Sequence, residues 1–127
     1  MIGLPRQEGF VNSYLVVAIG GAIGATLRFA VSEWVGTPQA TLIVNALGSL
    51  LLGICMAALA SDMISKEMTL FLGTGILGAF TTMSTYSVET IELWNDDQTK
   101  AIGYVLATMI LCPLLAYAGW KAFEISA

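Results

Sequence analysis

The sequence has no histidine and few charged residues, and both features limit what the protein can do. None of the 127 residues is His, so the usual proton shuttle and metal ligand is missing. Only 11% of the residues are charged, whereas soluble domains average about 25%. The five Lys and Arg residues form no basic cluster, which argues against nucleic acid or an anionic lipid surface as a partner. With 57% hydrophobic residues and a mean hydropathy of +0.80, the chain is expected to lie in a lipid bilayer.

Catalytic residue sets are missing as well. The two cysteines, Cys55 and Cys112, lie in apolar runs without CxxC spacing, so we interpret them as small buried side chains rather than a metal site or a disulfide. No Cys–His pair, Ser–base pair or membrane-embedded acid pair is present, and Asp96 and Asp97 fit a solvated loop. An enzyme is therefore not expected.

What the sequence does contain is four long uncharged runs. Each is long enough for a helix to cross an apolar core of about 30 Å. The runs are 9–27, 34–61, 68–88 and 101–120. They predict an all-α membrane protein, a single transmembrane domain over residues 1–127. Its four helices are expected at about 12–33, 39–61, 68–94 and 101–124.

The charges give no firm orientation to these spans. Arg6, Lys66 and Lys121 fall on the N-terminal side of the predicted membrane, and Arg28 and Lys100 fall on the other side. The positive charges are therefore nearly balanced, and the positive-inside rule favours neither orientation. Insertion in both directions would allow an antiparallel two-fold dimer, in which inverted copies play the part of inverted repeats.

Small residues in the spans favour close helix packing. Gly20 and Gly24 have GxxxG spacing, and Ser49 and Gly53 have the same spacing. Two interpretations remain open: packing within one protomer, or packing across a dimer interface.

Polar residues form stripes on two of the helices. Thr41, Asn45 and Ser49 recur every four residues in helix two, and this places them on one face. Asn45 is expected to make a helix–helix hydrogen bond or to line a pore as a donor. In helix four, Thr108 and Cys112 follow Tyr104 at the same spacing, and Pro113 comes next.

Helix three combines glycines with a dense group of hydroxyls. Gly73, Gly75 and Gly78 precede five hydroxyl residues, namely Thr81, Thr82, Ser84, Thr85 and Ser87. Together they predict a helix interrupted near the membrane midplane. Non-helical backbone is tolerated at that depth only inside protein or beside a wet cavity. Interrupted spans are also a sequence signal of a transport site.

Charged residues are missing from every predicted midplane. This disfavours a proton-coupled antiporter and the small multidrug transporters, which need a membrane-embedded Glu. Arg28 and Glu89 lie at the same side of the predicted membrane. They are expected either to pair or, in the case of Arg28, to give a vestibule a positive potential that attracts anions. The remaining hydroxyl, amide and aromatic groups suit a dehydrated ion that must be held weakly enough to leave.

Three segments resemble the Fluc, or CrcB, family of fluoride channels. They are "GGAIGATLRF" at 20–29, "TLIVNALGSLLLG" at 41–53 and "GAFTTMSTYSVE" at 78–89. The family patterns are roughly GGxxGAxxR, GTLxVNxxGxxxxG and GGxTTFSTFSxE, and the similarity extends over all four helices in order and spacing. The third motif is specific, whereas the first alone would be weak.

The resemblance implies a passive fluoride-selective channel that exports F⁻ and relieves fluoride toxicity. It implies an antiparallel dual-topology dimer with two pores and a central structural Na⁺, as a multi-pass protein of the prokaryotic plasma (inner) membrane. Gly78 and Thr81 match the positions whose backbone carbonyls hold Na⁺. Arg28 and Glu89 match the family's arginine and glutamate. The fluoride pathway would comprise Asn45, Thr82, Met83, Ser84, Thr85, Tyr86, Thr108 and Cys112.

The sequence departs from the family pattern in helices three and four. Met83 and Tyr86 stand where the family has two phenylalanines, Ala79 replaces a glycine, and Cys112 replaces a serine. Tyr keeps a ring edge, whereas Met has a soft, flexible thioether. A homodimeric channel is the preferred interpretation. The alternatives are one subunit of a heterodimeric channel with a paralogous chain, a non-conducting partner subunit, or a different small exporter.

Overall fold

The computed structural model describes residues 7–127, with side chains from residue 12 onwards, and this part of the chain is helical with short connections. Arg6, which entered the orientation count above, lies outside the described residues. The elements in order are α1 (Gln7–Val35), α2 (Gln39–Ala60), α3 (Lys66–Thr69), a π-helical segment (Leu70–Leu77), α4 (Gly78–Phe80), α5 (Met83–Asp96) and α6 (Gln98–Ser126).

Four spans of the described chain are long and apolar enough to cross a membrane. They are Asn12–Val35, Gln39–Ala60, Lys66–Asp96 and Gln98–Ser126. Within residues 7–127 no strand occurs. The predicted all-α fold with four spans is therefore confirmed.

Short connections and side-chain caps set the ends of the helices. Gly36 links α1 to α2 with a φ of 82°, a left-handed conformation that glycine adopts without steric cost. The Ser65 side chain accepts from the N–H of Met68 at the start of α3. The Asp97 carboxylate accepts from the N–H groups of Thr99 and Lys100 and thereby caps the start of α6.

Glycines allow the helices to approach closely. A Cβ added at Gly24 would collide with the carbonyl oxygen of Ile76, and one added at Gly53 would collide with the carbonyl oxygen of Ala116. A Cβ at Gly20 would lie 2.6 Å from the carbonyl oxygen of Phe71. The structure thus uses these small residues for packing within the protomer: α1 packs against the π-helical segment, and α2 packs against α6.

The third span is interrupted, as the sequence predicts. After α4 the backbone becomes extended at Thr81 (φ −84°, ψ 156°) and Thr82 (φ −152°, ψ 111°), and α5 then begins at Met83. The π-helical segment before the break was not predicted. Such segments occur frequently at functional sites.

Candidate ion pathway at the helix break

The Asn45 side chain bridges the break. Its Nδ2 donates to the carbonyl oxygen of Thr82 at 3.1 Å, and its Oδ1 accepts from the N–H of Thr82 at 2.7 Å. The amide therefore replaces the helical hydrogen bonds that Thr82 would otherwise make. Because Nδ2 carries two hydrogens and Thr82 uses one, a second donor remains. The two expectations for Asn45, helix contact and free donor, are compatible in this geometry.

The break also redirects the N–H groups that would normally bond to the carbonyls of Gly78 and Thr81. In a continuous α-helix the Gly78 carbonyl would accept from Thr82, whose N–H donates to Asn45 instead. The Thr81 carbonyl would accept from Thr85, whose N–H donates to the Thr82 hydroxyl at 3.2 Å. Neither carbonyl therefore keeps its α-helical donor.

Arg28 and Glu89 do not pair with each other; each has its own partners. Arg28 Nε donates to the carbonyl oxygen of Ala79 at 2.9 Å, beside the break. The Glu89 carboxylate is buried and accepts from the Thr41 hydroxyl at 2.8 Å and from the Tyr104 hydroxyl at 2.7 Å. Arg28 thus supports the end of α4, while Glu89 joins α2, α5 and α6.

A cavity of about 340 Å³ lies between α2, the break, α5 and α6. It brings together six of the eight residues predicted for the fluoride pathway. These are Asn45, Thr82, Met83, Tyr86, Thr108 and Cys112. Ser84 and Thr85 do not line it. Ser84 is exposed, and the Thr85 hydroxyl accepts from the Thr82 hydroxyl at 2.9 Å.

Thr108 has the least satisfied polar group of this cavity. Its side chain is 8% exposed, and its Oγ1 is buried without a hydrogen-bond partner. An unsatisfied buried hydroxyl costs about 1–3 kcal/mol. It is the one such side-chain atom among the described residues. A ligand that accepts a hydrogen bond would satisfy it.

Tyr86 lines the cavity, and its ring packs against the ring of Tyr104. Tyr86 and Tyr104 are buried, with ring centroids 5.2 Å apart and planes tilted by 41°. By contrast, the Met83 side chain is 69% exposed. The two residues that depart from the family's phenylalanines therefore have different environments: one ring is fixed, and one thioether is free to move.

The hydrogen-bond partners of Glu89 were not predicted. Thr41 and Tyr104 were placed on polar stripes but were not assigned to the site; their four-residue spacing to Asn45 and Thr108 was the available signal. The roles of Ala79 and of the π-helical segment had no such signal, because both concern backbone atoms.

The fold and cavity define a small multi-pass membrane protein with polar side chains gathered inside its helical bundle. The family described as CrcB-like protein, Camphor Resistance (CrcB), matches residues 15–120. This chain belongs to the CrcB family.

Relatives of known name agree with this assignment. The chain is 43% identical over 114 residues to the "Fluoride-specific ion channel FluC" of Thermotoga maritima, which covers 84% of this chain and 90% of the relative. It is 42% identical over 118 residues to the protein of the same name from Thermus thermophilus, with 87% and 93% covered. A "Fluoride-specific ion channel FluC 2" from Bacillus subtilis is 43% identical over 109 residues, with 84% and 83% covered. The predicted family is confirmed.

Proposed function

We propose that this chain forms a passive, fluoride-selective ion channel rather than an enzyme, and that it exports F⁻ across the prokaryotic plasma membrane. The observation that carries the proposal is the unpartnered Thr108 hydroxyl in a cavity that also holds Asn45 and Tyr86. The names of the relatives identify the anion.

The chemistry of the cavity suits a small anion that has lost water. Thr108 supplies a free hydroxyl donor, Cys112 supplies a weaker thiol donor, and Asn45 has one N–H left over. The edge of the Tyr86 ring is positive and attracts anions. No charged residue lines the cavity within the described chain, so the anion is held by dipoles and can leave again.

Glu89 and Arg28 act at the edges of this pathway. Two hydroxyl donors already occupy the Glu89 carboxylate, and these hydrogen bonds fix α5 against α2 and α6. Arg28 holds the Ala79 carbonyl and brings a positive charge near the break. Ser84 and Thr85 contribute through Thr82, whose hydroxyl they contact.

A second, inverted copy completes the channel in this proposal. The carbonyl oxygens freed at Gly78 and Thr81 are hard ligands of the kind that Na⁺ prefers. Gly78 is exposed and Thr81 half-buried, so a partner can approach both. Two carbonyls from each copy would hold one structural Na⁺ between the chains, and the bound ion would supply positive charge there. Two pores would result, one in each cavity.

The test is fluoride efflux from liposomes that contain this chain alone, with chloride as the control anion and protein-free liposomes as the blank. We expect fast fluoride efflux that excludes chloride and needs no proton gradient. Flux that requires a proton gradient would overturn the passive channel in favour of an exporter of another kind.

A second candidate is a subunit that conducts only beside a paralogous chain. The observation that favours it is Met83, which places an exposed thioether where the family pattern has a ring. A well-folded chain that shows no efflux alone, and regains it when reconstituted with a related chain, would support this candidate.

A further inference from the structure

Besides its hydroxyl and amide groups, the cavity is lined by three sulfur-containing side chains, and the proposed anion pathway uses only the Cys112 thiol among them as a donor. Met83 on α5 and Met109 and Cys112 on α6 all line it. Met109 and Cys112 are three residues apart, so they are neighbours on one face of the helix. Three sulfur side chains from two elements therefore border one cavity.

These sulfur atoms are free to react. Cys112 is half-buried and forms no disulfide. Met83 and Met109 are 69% and 61% exposed, so their thioethers can change rotamer without disturbing the packed interior. Cys55, the other cysteine, is buried and does not line this cavity.

The three sulfur side chains favour one class of ligand. Thiolate and thioether groups prefer soft metal ions such as Cu(I). No group of three His, Cys, Asp or Glu residues able to hold a metal occurs among the described residues, which disfavours zinc here. One thiolate balances one positive charge, so a monovalent cation leaves the uncharged cavity neutral, whereas a divalent cation would bury an unpaired charge.

Thr108 supports the same assignment. It lies one turn before Cys112 on the same face of α6, and its hydroxyl has no partner. A hydroxyl without a partner is a donor that a sulfur atom one turn away on the same helix face can accept from.

We infer that Cys112, Met83 and Met109 form a binding site for a soft monovalent cation of the Cu(I) or Ag(I) class. Cys112 binds Ag⁺ through its sulfur, and the S–H bond breaks: the products are a Cys112–S–Ag group and a proton, which passes to water. The two thioether sulfurs complete the coordination as neutral donors. Binding of the cation depends only on these three sulfur atoms. The effect of the bound cation on fluoride flux rests on the proposed function, because the cation would obstruct the fluoride pathway.

The experiment uses the full chain with Ag⁺ as its nitrate in chloride-free buffer, because silver fluoride is soluble and silver chloride is not. Binding is measured without flux, as the protection of Cys112 from maleimide alkylation, read by mass spectrometry, and by titration of the proton released. Flux is measured in parallel in liposomes. We expect one Ag⁺ per chain, one proton released per ion, and block of fluoride efflux with the same midpoint.

Four variants separate the three ligands from the rest of the protein. Proton release and Ag⁺ binding should weaken at least tenfold in Cys112→Ser, and about threefold to tenfold in Met83→Leu and in Met109→Leu, which keep the size of the side chain but lack its sulfur. Cys55→Ser is the matched control and should bind as the unmodified chain does. Size-exclusion chromatography establishes that each variant is folded before it is compared.

The outcomes are distinguishable. Binding that persists in Cys112→Ser, is lost in Cys55→Ser, or is unchanged in both methionine variants overturns the site. Binding without block, in a chain that conducts fluoride, overturns its position on the route. A chain that binds Ag⁺ but carries no fluoride overturns the proposed function and leaves the cation site supported by the alkylation and proton data.

Discussion

The helix break and the polar face of α6 border the same cavity, yet they treat their polar groups in opposite ways. At the break, Thr82 has its N–H and its carbonyl bonded to Asn45, and its hydroxyl bonded to Thr85. On α6, Thr108 is more deeply buried than Thr82, yet its hydroxyl has no hydrogen-bond partner. Both regions line the cavity, each with threonine side chains.

The difference suggests two roles for the polar groups of one cavity: those at the break support the backbone, and in the proposed function the one on α6 binds the ion. Polar groups that satisfy each other hold the backbone in a conformation that would otherwise be costly in a membrane. A polar group left unsatisfied reduces stability, and in the proposed function the Thr108 hydroxyl donates to the anion. We therefore expect changes at the break to reduce stability and flux together, and changes on α6 to reduce flux alone.

The largest effect is expected for Asn45→Asp. The carboxylate cannot donate to the Thr82 carbonyl and places a negative charge in the cavity, so fluoride flux should fall roughly 100-fold and the protein should also be less stable. Liposome efflux and thermal unfolding in detergent measure the two effects.

Asn95→Asp is the matched control for that change, because Asn95 is exposed near the end of α5. It should leave flux and stability unchanged. Unaltered flux in Asn45→Asp would remove Asn45 from the pathway and from the support of the break.

Glu89→Gln tests the buried carboxylate. Glutamine is neutral and has one acceptor oxygen, so both hydrogen bonds lose their charge assistance and one hydroxyl faces an NH2 group. The free energy of unfolding should therefore fall by about 2 kcal/mol. Chemical denaturation in detergent measures the loss. Glu92→Gln, an exposed position on the same helix, should change it by less than about 0.5 kcal/mol. Equal stability of the two variants would contradict the proposed structural role of Glu89.

Thr108→Val tests the polar face of α6. Valine keeps the shape of threonine but has no hydroxyl, so we expect flux to fall about tenfold while stability stays the same or rises. Thr26→Val is the control, since the Thr26 hydroxyl on α1 already donates to the carbonyl oxygen of Ala22 at 2.6 Å. A loss of stability in Thr108→Val without loss of flux would reverse the contrast drawn between the two regions.

The smallest effect is expected at a helix cap outside the cavity. Asp97→Ala removes the side-chain cap of α6 and should cost about 1 kcal/mol of stability with no change in flux. Asp96→Ala removes only an exposed ion pair with Lys100, 3.7 Å long, and should cost less. A change in flux in Asp97→Ala would show that the loop, and not only the cavity, controls conduction.

Much of the fold could be predicted because its causes are local. Uncharged runs of sufficient length form helices in a bilayer, because a helix satisfies most of its backbone groups within one segment. The cap at Asp97 and the interruption after Gly78 also depend on residue types that lie close together in the chain. The sequence motifs identified the family without any structural information.

The hydrogen-bond and packing partners of individual residues could not be predicted in the same way. Arg28 and Glu89 fall at the same side of the predicted membrane, yet the first bonds to a carbonyl beside the break and the second to two hydroxyls. Gly20 and Gly24 fit a dimer interface as well as they fit an internal one, and the structure places them against the π-helical segment. Both outcomes depend on how the helices are rotated against each other.

The sequence by itself determined that this chain is a four-span, all-helical membrane protein of the CrcB family with a broken third helix, since length, hydropathy and short motifs are properties of consecutive residues. Only the tertiary structure decided which polar groups are satisfied. The break at Thr82 is held by Asn45 from another helix, and Thr108 is left without a partner by the same arrangement. The reason is that a hydrogen bond between helices requires two groups within about 3 Å, and residues far apart in the chain reach that distance only through the packing of the whole bundle.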